Sequence, residues 1–72
     1  MKKFEKGKLY RHKNCTDIDF FIASEPEDVG NDWLLKVKYW NRAYKMFQPD
    51  STFIDDVVIK KDLIRNWSKV DE

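Results

Sequence analysis

The sequence predicts an all-β fold, a small antiparallel barrel of five or six strands with one short helical turn near the C-terminus. Three observations point there. Apolar and polar residues alternate with period two in Asp17-Ile18-Asp19-Phe20-Phe21-Ile22-Ala23, the run from Trp33 to Phe47 is rich in Trp, Tyr, Phe and Val, and Pro, Gly and Asp punctuate the chain at short intervals. The chain has 72 residues, enough for one domain over 1–72 with a single small core, since domains of this size bury only ~60% of their extended-chain surface.

In chain order, a short strand over Leu9 to Lys13 follows Gly7. The second strand spans Asp17 to Ala23, with Ile18, Phe20 and Ile22 on one face. Glu25 to Asp32 reads as a loop, because Pro26 and Gly30 interrupt it and its carboxylates favour water. Gln48-Pro49-Asp50-Ser51 is a turn with Pro at the favoured second position, and Phe53 to Lys60 is a strand with Phe53, Val57 and Ile59 in phase.

The segment between these supports two readings. As a helix over 33–47, Trp33, Val37, Trp40, Tyr44 and Phe47 form one stripe, Asp32 caps the start and Pro49 stops the end, which makes the fold α+β. As strands, Trp33, Leu35, Val37 and Tyr39 share a face, Asn41-Arg42 is a two-residue hairpin, and Ala43 to Phe47 returns. The strand reading is preferred, because the helix places Lys36 inside its apolar stripe and Leu34 on its basic face.

From Val57 the chain reads as a strand, one helical turn near Asp62 to Ile64, and a last short strand ending at Val70. This ending, after a meander of tight hairpins, resembles SH3-like small barrels over most of the chain, although the Tyr-rich peptide groove of signalling SH3 domains has no counterpart. A further likeness, in Gly7 to Lys13, in Tyr39-Trp40-Asn41 and in Asn66-Trp67, is to short uncharacterised proteins of bacteria and their phages. It implies a small accessory protein and no mechanism.

The composition argues against several functions. The single Cys15 leaves no disulfide framework and no disulfide-linked partner, and with His12 the only histidine the chain lacks four Cys or His ligands for a structural zinc site. No nucleotide-binding or hydrolase motif occurs, no stretch approaches the ~20 apolar residues of a membrane span, and no apolar signal-peptide run follows the basic start. The expectation is therefore a cytoplasmic protein with no cofactor, no metal, no membrane association and no catalysis. His12 and Cys15 form a thiol catalyst only if Lys13-Asn14 turns sharply, because three extended residues separate them by about 10 Å.

Charge suggests binding. The formal net charge of +1 conceals a segment of +5 over 1–13, one of −6 over 14–35 and one of +4 over 36–45. Lys36, Lys38, Trp40, Arg42 and Lys45 combine cations with an aromatic platform, and Glu25, Glu27 and Asp28 form an acidic loop suited to a basic surface. Lysines on an outer strand face also serve to keep an edge soluble, and solvated acidic loops are ordinary. Because a dedicated nucleic-acid domain is more often strongly basic, the expected function is a protein-interaction module, an inhibitor or adaptor of phage or bacterial origin. The alternative is a nucleic-acid-binding barrel that uses the basic aromatic hairpin.

Overall fold

The computed structural model describes residues 4–70, so Lys2 and Lys3 of the first basic segment lie outside the described residues. The strands are β1 (Leu9–His12), β2 (Ile18–Ile22), β3 (Glu27–Asp28), β4 (Asp32–Asn41), β5 (Met46–Gln48), β6 (Asp55–Lys60) and β7 (Trp67–Lys69), with a 3-10 turn over Lys61–Asn66. All pairings are antiparallel. The long strand β4 is central: β2 and β3 run along one of its edges, β5 and β6 along the other, and β1 and then β7 continue the sheet beyond β2. The seven segments therefore lie in five courses.

The expected all-β architecture and the helical turn before the last strand are observed, and the helix over 33–47 is replaced by β4 and β5. The barrel is not closed. The sheet ends at β7 on one side and at β5 and β6 on the other, and the 3-10 turn connects β6 to β7 where a barrel would need a ladder. The expected Asn41-Arg42 hairpin is a four-residue connection over 42–45, because Asn41 pairs with Met46. In it the Asn41 side-chain carbonyl accepts from the Tyr44 N–H (3.0 Å), and Lys45 takes a left-handed φ of 54°. The predicted 25–32 loop contains β3, and β6 begins at Asp55 instead of Phe53. Asp50 causes the second difference: its Oδ1 accepts from the Thr52 hydroxyl (2.7 Å) and the Thr52 and Phe53 N–H groups (2.8 and 3.1 Å), folding that segment into a turn.

The core lies on one face of the sheet. Ile22, Leu35 and Val37 are almost fully enclosed, Phe4, Tyr10 and Ile59 complete the buried cluster, and Phe20, Trp33, Tyr39, Val57, Ile64 and Trp67 pack around it. Edge-to-face contacts of Trp67 with Phe4 (5.7 Å) and Phe20 (4.9 Å) hold the last strand against the first two. Because side chains alternate, the residues between these, Asp19, Phe21, Lys36, Lys38 and Trp40, fall on the other face.

Candidate functional site

Asp19 is the polar residue at the centre of that second face. Strand alternation points it away from the core, yet it is only 1% exposed. Arg11, one strand over on β1, covers it with two parallel bonds, Nε to Oδ1 at 3.0 Å and Nη2 to Oδ2 at 3.2 Å. Arg42 approaches from the hairpin, with Nε 3.5 Å from Oδ1. The Arg42 Nη2 donates to the Cys15 carbonyl (3.1 Å), while its enclosed Nε–H has no hydrogen-bond partner among the described residues. One carboxylate thus orders two guanidinium groups, and its hydrogen bond to Arg11 strengthens the hold of that side chain on its proton.

Beside this triad lies an aromatic floor. The register sets Trp40 opposite Asp19 on β2 and opposite Phe47 on β5. The Phe47 ring meets Trp40 edge to face (4.9 Å) and Phe21 at 5.6 Å, and Lys38 Nζ stands 5.5 Å from the Phe47 centroid. Phe21, Trp40 and Phe47 line an open groove of about 900 Å³, with Leu9 and Val70 as further apolar wall and Lys8, Arg11, Arg42, Lys45 and Lys69 as its cations. Among the described residues Asp19 is the single acidic residue lining it. Lys8 and Arg11 come from the first basic segment of the sequence, Arg42 and Lys45 from the second, and folding merges them across the acidic segment that separates them in the chain.

The structure brings Trp40, Arg42 and Lys45 of the expected site residues into this groove and sets Lys38 beside it. Lys36 is on the same face but is matched with Asp56 on β6 at 2.8 Å, which raises its hold on its proton. Glu25, Glu27 and Asp28 lie elsewhere. Glu27 and Asp28 pair with Leu34 and Trp33 at the start of β4, about 25 Å of extended strand from the hairpin in a molecule 35 Å long. Asp28 there accepts from Lys61 (2.7 Å). The predicted cluster therefore divides into a basic aromatic end and an acidic end.

Lys8, Arg11, Asp19, Phe21 and Phe47 are not among the binding residues expected from sequence. Their only sequence signal is Asp19 itself, a carboxylate in the middle of an apolar alternating strand, which requires cations from neighbouring strands. The His12–Cys15 turn does form, with the Cys15 N–H donating to the His12 carbonyl (3.0 Å). The His12 Nδ1 accepts from the Asn14 N–H (3.1 Å), so that nitrogen is engaged by backbone. Among the described residues no group of three His, Cys, Asp or Glu side chains is placed to hold a metal ion, and no helix is long and apolar enough to cross a membrane. Compared with the models of known protein families, with curated protein sequences and with solved structures, the chain matches none of them.

Proposed function

We propose that the protein is a non-catalytic module that binds single-stranded nucleic acid in the groove between β1, β2, β4 and the β4–β5 hairpin. One observation carries the reading: the two basic segments of the chain meet on one face around Trp40, Phe21 and Phe47. Lys8, Arg11, Arg42 and Lys45 hold phosphates, and an unstacked base lies against Trp40. Such stacking contributes ~1–3 kcal/mol per base and tolerates any sequence. A duplex keeps its bases stacked and would leave the aromatic floor unused. The five strand courses with a 3-10 turn before the last also support placing the chain among SH3-like folds, with its sheet open.

Fluorescence of the full chain titrated with a single-stranded oligothymidylate tests this. At low salt Trp emission is quenched to saturation, the quenching is lost in Trp40→Phe, and log K falls with log salt at about −0.7 per phosphate neutralised. Arg42→Ala lowers that slope by roughly one phosphate's share. Unchanged emission at low salt, or full quenching in Trp40→Phe, overturns the reading.

A second reading, the protein-interaction module expected from sequence, is favoured by the acidic end. Glu25, Glu27 and Asp28 are all exposed, and such carboxylates suit a basic protein surface. It predicts that Glu25→Lys with Glu27→Lys abolishes partner binding while leaving oligonucleotide quenching unweakened.

A further inference from the structure

Strand β6 pairs with β4 along one edge and with no strand along the other among the described residues. The Lys61 N–H donates to the Asn31 carbonyl (2.9 Å), and this fixes the phase of the β4–β6 ladder. In the observed register, Trp33 with Ile59, Leu35 with Val57 and Val37 with Asp55 are the hydrogen-bonded pairs. The backbone groups of Asp56, Val58 and Lys60 therefore point outward from the sheet. The side chains of the same three residues stand on the face opposite the core, with Val58 59% exposed.

We infer that this edge pairs with a second copy of the chain, antiparallel, about a two-fold axis through Val58. In that register Asp56 lies opposite Lys60 of the second copy, Val58 opposite Val58, and Lys60 opposite Asp56. Two ion pairs then flank one apolar contact. The register also satisfies two independent requirements. It keeps the core face of each copy on the same side of the joined sheet, and it sets outward-pointing N–H and C=O groups against their counterparts. A shift of one residue sets the two core faces on opposite sides of the joined sheet and opposes outward-pointing backbone groups with inward-pointing ones. A shift of two sets Val58 against Asp56 or Lys60 and breaks both ion pairs. Charged residues on an edge strand ordinarily discourage pairing; here they forbid every register but one.

Two adjustments accompany pairing. The Asp56 N–H, which donates to Asp55 Oδ1 (3.0 Å), is released to the ladder. Lys36 holds Asp56 through Oδ1, so Oδ2 of that exposed carboxylate meets the ammonium of the second copy. The exposed Phe53 and Ile54, which precede β6, border the contact. The contact is isologous and closes at two chains.

Sedimentation equilibrium of the full chain over a wide concentration range, without nucleic acid, tests the inference. The wild type fits a monomer–dimer equilibrium, and Val58→Lys is monomeric throughout. Asp56→Lys and Lys60→Asp each shift the equilibrium to monomer, and the double charge exchange restores the dimer. Lys36→Ala removes the intramolecular ion pair and leaves dimerisation intact. Circular dichroism establishes that each variant is folded; Val58 and Lys60 are exposed and make no core contact. A wild type that is monomeric at the highest concentration, a dimer that survives Val58→Lys, or a double exchange no better than its single variants overturns it. None of these outcomes depends on whether the groove binds nucleic acid.

Discussion

A carboxylate with 1% of its surface exposed must be neutralised where it stands, and Asp19 has both its oxygens on Arg11 and one near Arg42. Removing that charge leaves two arginines on one face with nothing between them. Asp19→Asn keeps the size and loses the charge-assisted bonds, so it is expected to lower unfolding stability by on the order of 1–3 kcal/mol in denaturant titration. A loss no larger than that of an exposed control such as Asp17→Asn would contradict the role given to Asp19. The sequence places Asp17 and Asp19 on one face of an extended segment, but their surroundings separate them: Asp17 is exposed and lies outside β2. Local pattern specifies direction, whereas burial depends on which side chains of distant strands close over a residue.

At the scale of elements, β4 settles what periodicity left open between helix and strand. It has strand partners along both edges, β2 and β3 on one and β5 and β6 on the other, and a helix stripe of Trp33, Val37 and Trp40 would have merged two groups that the sheet sends to opposite faces. The boundaries were less legible than the strands. Asn41-Arg42 resembles a tight hairpin, yet the Asn41 side chain extends the connection by bonding the Tyr44 N–H, and such side-chain to backbone bonds leave little periodic signal. Across β4 and β6 the Tyr39 hydroxyl donates to Asp55 (2.6 Å). Burial first, and then this bond and the charge of Asp55, push the phenol up to about 12. In the unfolded chain it ionises near 10, about the reference value. Between those values the folded state binds the extra proton, so the stabilisation from Tyr39 is complete below pH ~10 and is lost as pH rises towards ~12. Phenolate absorbance, taken as the difference between wild type and Tyr39→Phe, should show that late ionisation. In Asp55→Asn the midpoint should fall but stay above 10, since burial remains; a wild-type midpoint near 10 would contradict the burial and bonding of Tyr39.

At the scale of the whole molecule, one face of the sheet is committed to the core and the other carries the charge. Segments that cancel to a net of +1 in sequence are redistributed in space: β4 holds Glu27 and Asp28 of β3 at one end and the basic hairpin at the other, while Asp19 of the acidic segment lies between Arg11 and Arg42. Chain order gave the signs of these segments and not their neighbours, since β1 reaches the hairpin only through the pairing of β1, β2 and β4. The same pairing brings Arg11 beside Arg42 and makes a groove from residues far apart in the chain. Backbone amide spectra recorded while a single-stranded oligothymidylate is added test that account most directly, residue by residue. Shifts concentrated at Lys8, Arg11, Phe21, Lys38, Trp40, Arg42 and Phe47, reversed by added salt, are the expected result. Unchanged spectra at low salt, or shifts confined to Glu25, Glu27 and Asp28, would contradict it.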